Sequence, residues 1–108
     1  MNDDSRHIEV PPSFVALFVE PGRIKPREPW AVISQRYELC EDLAQLLTDT
    51  ARTTLWELQA TEADVLGRIG RGLAQGPLDL STNEAQWVLR RLAELLGWNL
   101  TLTAPTDA

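Results

Sequence analysis

The stretch WAVISQRYELCEDLAQLLTDTARTTLWEL, residues 30–58, holds neither proline nor glycine. Its apolar side chains recur at Ile33, Tyr37, Cys40, Ala44, Leu47, Ala51 and Leu55, three or four residues apart. That spacing lines one side of an α-helix. A second row, Leu39, Leu43 and Leu46, runs beside it, while Glu38, Glu41, Asp42, Gln45 and Asp49 fill the polar side. The pattern predicts one long amphipathic helix with a broad apolar face. The threonines between Thr48 and Thr54 lower helix propensity and predict a kink or early fraying there.

Downstream, Thr61 followed by Asp64 is a variant capping box. Val65, Leu66, Ile69 and Leu73 mark the face of a second helix. Gly67, Gly70 and Gly72 each weaken it by about 1 kcal/mol relative to alanine, so it needs packing or close approach of a neighbour. Gly76-Pro77 ends it. Ser81-Thr82-Asn83-Glu84 is a full capping box for a third helix over 82–96, with an apolar stripe at Ala85, Val88, Leu89, Leu92, Ala93, Leu95 and Leu96. Gly97 is a helix stop, after which Trp98 and Leu100 fold back on the helix end.

Upstream, Pro29 suits the start of the long helix. The segment 20–29 carries three prolines and a glycine and reads as a loop holding Arg23, Lys25 and Arg27. Phe14-Val15-Ala16-Leu17-Phe18-Val19 reads as a short strand or an extended segment laid on a core. The expected architecture is mostly α: a small three- to four-helix bundle with an N-terminal extended apolar segment. Residues 1–13 form a flexible lead-in, 14–98 a single helical domain and 99–108 a flexible tail.

The chain has 108 residues, 44% of them hydrophobic, and a formal charge of −6. This suits one soluble domain with its own core. The acidic balance argues against nucleic-acid partners, which reward counterion release by cations. One Cys and one His exclude an internal disulfide and the usual zinc ligand sets. The longest apolar run, 14–19, is far below the ~20 residues that span a bilayer. With an acidic N-terminus, these features point to the cytoplasm and to no membrane association.

No pattern supplies a catalytic residue, a metal site or a cofactor. Gly67-Arg68-Ile69-Gly70-Arg71-Gly72 lacks the Lys and Ser/Thr of a phosphate loop and lies in a helical pattern. Glu38, Glu41 and Asp42 share a helical face without the histidines of a di-iron site. Cys40 sits in the apolar stripe, where a thiol behaves as a small hydrophobe, and His7 lies in the lead-in.

Two surfaces are candidate partner-binding sites. Arg23, Lys25 and Arg27 form a basic loop that grips an acidic partner or pairs with the chain's own acids. On the last helix, Trp87 lies opposite the main stripe beside Arg90, Arg91 and Glu94, so it is either an exposed anchor or packed beneath the segment 14–19. Trp and Arg are the residues most enriched at interface hot spots.

The strings 11–19 (PPSFVALFV), 36–44 (RYELCEDLA) and 90–98 (RRLAELLGW) resemble a family of small, mostly uncharacterised bacterial proteins, some labelled "ATPase with chaperone activity". The resemblance covers most of residues 10–98. This chain has no phosphate loop, and the family supplies no catalytic residues to carry over. What the resemblance implies is association with a chaperone or protease ATPase. The functional expectation is a non-enzymatic interaction or adaptor module that binds another protein or itself as a homodimer. The alternative is a small-ligand or enzymatic domain with an interhelical cleft near Cys40.

Overall fold

The computed structural model describes residues 9–98, and the chain is mostly helical, with no strand among these residues. The elements are α1 (Pro12–Val15), a 3₁₀ turn (Ala16–Phe18), α2 (Trp30–Leu58), α3 (Glu62–Gln75) and α4 (Thr82–Leu96). The expected tail, His7 and most of the expected lead-in lie outside the described residues. Contacts group the chain into two compact units that meet in sequence at Leu39 and Cys40.

In the first unit, the segment 14–19 corrects the expectation of a short strand or an extended segment: it is helical through Phe18. Pro11 stands in extended conformation as the cap, and Pro12 opens the helix with its φ already helical. Phe14 and Phe18 fall on the same side in either a strand or a helix, so the spacing of this short run could not separate the two. As a helix, the segment stacks Phe14 against Phe18 with ring centroids 5.5 Å apart. Tyr37 meets Phe14 edge-on at 5.6 Å. Phe14, Phe18 and Ile33 are buried. The Pro29 carbonyl accepts the N–H groups of Val32 and Ile33 and so starts α2.

α2 runs unbroken through the threonine-rich stretch. Thr48 does not fray the helix there; its hydroxyl donates back to the Gln45 carbonyl at 2.8 Å. The helix stops where Gln59 turns left-handed, φ 50°.

The second unit is built from Cys40–Leu58 of α2 together with α3 and α4. The side of α2 that goes into this core is made of small residues, Cys40, Ala44 and Ala51. The larger apolar groups come from the other helices: Val65 and Leu66 on α3, and Trp87, Val88, Leu89 and Leu92 on α4. α3 and α4 pack closely, and the Leu89 side chain uses the space that Gly70 leaves. A Cβ built there would lie 2.9 Å from Cδ1 of Leu89. Gly72, by contrast, faces open space.

The caps form as their residue types require. The Thr61 side chain accepts the Asp64 N–H at 3.0 Å, while the Asp64 carboxylate reaches forward to Arg68. Ser81 and Glu84 satisfy each other's backbone N–H groups, each at 3.0 Å. Gly97 adopts φ 74° and closes α4 onto the carbonyls of Ala93 and Glu94.

Candidate protein-interaction site

The outer face of α4 is not an open anchor. Trp87 is 7% exposed and so does not stand out as an exposed anchor. Arg91, one turn further on, is committed to a carboxylate fork. Its Nε donates to both oxygens of Glu41, at 2.9 and 3.2 Å. Its Nη2 donates to Glu41 Oε2 at 3.1 Å, and Nη1 reaches Glu94 at 3.1 Å. Burial pushes the Glu41 carboxyl up. The hydrogen bonds from Arg91 and Gln45 and the charge of Arg91 outweigh it and hold the group below its usual range. The Glu41 bond raises the Arg91 guanidinium further, against the opposing effect of burial. Arg90 remains exposed.

α4 therefore has neighbours on two sides: α3 through Gly70 and Leu89, and α2 through Glu41 and Arg91. A helix held between two others buries a wider arc than one stripe. Trp87 falls at the edge of that arc, i to i+4 from Arg91. This is the signal missing from a wheel drawn for α4 alone.

The basic loop is a built structure. Its ends close where the Arg27 N–H donates to the Phe18 carbonyl at 2.7 Å, the arrangement of a compact surface loop. Arg27 braces it further. Its guanidinium lies 5.3 Å from the centre of the Phe18 ring and donates to the Leu17 carbonyl at 3.2 Å. Pro21 and Gly22 occupy the centre of a tight turn in which the Arg23 N–H bonds to the Glu20 carbonyl. Gly22 supplies the φ of 82° that such a turn needs. At the tip Arg23, Ile24 and Lys25 are exposed, Ile24 to 92%, and the two cations border a shallow hollow with Glu20 and Arg27. Of the three cations, Arg27 thus holds the loop while Arg23 and Lys25 are presented by it.

Sequence reasoning raises the exposed-or-packed question for Trp30 and Trp56, near the two ends of α2, but does not single out Leu46. Leu46 is 74% exposed and Trp56 81% exposed. Asp42 and Asp49 flank Leu46 one turn before and after it and are exposed as well. Trp56 borders an open hollow of about 480 Å³ shared with Arg52, Leu55, Gln59 and Trp98. The row Leu39, Leu43, Leu46 was the available signal: a second apolar row wider than one neighbour covers.

Other features carry less. A mostly apolar hollow of about 330 Å³ lies between α3 and α4, floored by Gly67, Gly70 and Leu89. Cys40 is fully buried. Among the described residues, no three acidic, His or Cys side chains gather as a metal site. No described helix is long and apolar enough to cross a membrane. No family model, curated protein or solved structure matches the chain.

Proposed function

We propose that the protein is a non-enzymatic interaction module of the cytoplasm that binds another protein or a second copy of itself through the outward side of α2. One observation carries this reading: Leu46 and Trp56 stand in solvent on a helix whose opposite side builds the core. Large exposed apolar groups in a small acidic domain, one of them a tryptophan beside an open hollow, are the usual material of a binding hot spot. A chaperone or protease ATPase is the partner class that the family resemblance suggests.

The test uses the full chain as bait in its host lysate, beside a Leu46→Asp/Trp56→Asp variant, with the solution mass of each measured in parallel. The wild type retains partners or self-associates; the variant loses this while its melting temperature stays within a few degrees. Equal recovery and equal mass for the two would end the reading.

The ligand or enzyme alternative near Cys40 has its own test. A fully enclosed thiol is unreactive, so a thiol reagent labels Cys40 only after denaturant unfolds the chain. Rapid labelling of the native protein would favour the alternative.

A further inference from the structure

Two exposed patches of this molecule have matching form and opposite charge. The loop tip is a cation, an apolar side chain and a cation: Arg23, Ile24, Lys25. The α2 patch is a carboxylate, an apolar side chain and a carboxylate: Asp42, Leu46, Asp49. Ile24 and Leu46 are the apolar centres, 92% and 74% exposed. Each is therefore open in the single chain.

We propose that the Arg23-Ile24-Lys25 tip of one copy docks on the Asp42–Leu46–Asp49 patch of a second copy. This rests on reading the protein as an interaction module and names its partner. The spans agree. Asp42 and Asp49 are two helical turns apart, about 10 Å along the axis. The Cα atoms of Arg23 and Lys25 are at most about 7 Å apart, and their long side chains make up the difference. The loop is braced by Arg27 and its turn, so little ordering opposes binding. The Asp49 contact to Arg52 is long, 3.9 Å, and exposed, so an incoming cation can replace it. The chain's formal charge of −6 includes the three cations of the loop, so the remainder is more acidic still. Two such chains repel as wholes, and the local match of the two cations around Ile24 to the two carboxylates around Leu46 is what selects a second copy as the partner. The contact joins two different patches and so repeats from copy to copy until it closes.

A contact this small lies below the ~1,200 Å² of stable interfaces, so the association is weak and salt-sensitive. Sedimentation equilibrium from about 10 μM to 1 mM, at about 20 and 300 mM salt, is the measurement. The expected result is a mass rising above 12.1 kDa with concentration.

Two charge-swapped chains, Arg23→Glu/Lys25→Glu and Asp42→Arg/Asp49→Arg, should each stay monomeric alone and associate when mixed, with unchanged circular dichroism. Ile24→Ser should weaken association without unfolding the chain. Association of either swapped chain alone, or none in the mixture, overturns the docking. A monomeric wild type that still captures another protein through Leu46 and Trp56 overturns the docking and leaves the interaction-module reading standing. A monomer that captures nothing ends both.

Discussion

Trp87 and Trp56 belong to the same unit, sit on neighbouring helices and meet opposite fates. Trp87 was the residue that its own wheel placed away from the apolar stripe, yet it is almost wholly enclosed. Trp56 ends the helix with the broadest apolar patterning in the chain, yet it stands in solvent. The difference lies in the neighbours. α4 packs against α3 and is tied to α2 by the Glu41–Arg91 fork, one turn from Trp87. α2 contributes only one side, lined by Cys40, Ala44 and Ala51, to this core. Beside that strip Leu39, Leu43, Leu47 and Leu55 are half-buried, and on the far side Leu46 and Trp56 stay open however apolar they are. Burial is a property of how many helices surround a residue; periodicity within one helix reports only one side of that environment.

The most direct way to break this comparison is to truncate both tryptophans. Trp87→Ala removes a large enclosed side chain and should cost about 3–5 kcal/mol. That is enough to unfold a marginal small domain, whose whole stability is commonly ~5–15 kcal/mol. Trp56→Ala should change stability by no more than about 0.5 kcal/mol. Urea unfolding of the two variants, with Trp87→Phe as a milder companion, reads the contrast. Equal losses would mean that Trp56 is covered in solution and that the outward side of α2 is not free.

A second pair of substitutions sharpens the account of why α4 is enclosed. Gly70 and Gly72 have the same helical propensity penalty, so replacing either by alanine gains up to about 1 kcal/mol in principle. At Gly72 nothing stands in the way, and Gly72→Ala should realise that gain. At Gly70 the new methyl meets the end of the Leu89 side chain at 2.9 Å, which must shift toward the adjoining hollow, so part or all of the gain is offset. Gly70→Ala should therefore come out less stable than Gly72→Ala by up to about 1 kcal/mol. Identical shifts in the unfolding midpoint would mean that Leu89 yields to the methyl without cost.

These pairs also show what the sequence made legible. The bounds of α2 and α4 coincide with the reading from periodicity, because a run free of Pro and Gly, a Ser81/Glu84 box and a Gly97 stop are all local signals. Gly67, Gly70 and Gly72 together signalled a helix held by packing or approached by a neighbour, but that Gly70 is the one against Leu89 was not legible, since contacts between helices leave no mark on spacing. The segment 14–19 was misread because Phe14 and Phe18 satisfy both periods. The loop's three cations were visible, but the split between a bracing Arg27 and a presented Arg23 and Lys25 depends on the Phe18 ring and carbonyl. That split cannot be read from charge alone.

The smallest expected effect concerns the fork that ties α4 to α2 beside Trp87. Glu41 accepts the Arg91 guanidinium through both oxygens, and its carboxyl is held below the ordinary carboxylate value. A carboxyl whose folded value is depressed contributes stability that is complete above its unfolded value. The contribution is lost as the pH falls through the lower folded value. Glu41→Gln keeps the size of the side chain and removes the charge, so it should cost about 1 kcal/mol near neutral pH. As the medium is acidified below about pH 4.5, the wild type loses the same interaction and the gap between the two proteins should narrow. Asp49→Asn, on the outward side of the same helix, is the neutral-pH control and should be nearly silent, within about 0.5 kcal/mol. A gap for Glu41→Gln that stays constant from neutral to strongly acidic pH would mean that the fork contributes packing alone. The enclosure of α4 would then rest on Gly70 and the apolar contacts, with no help from charge.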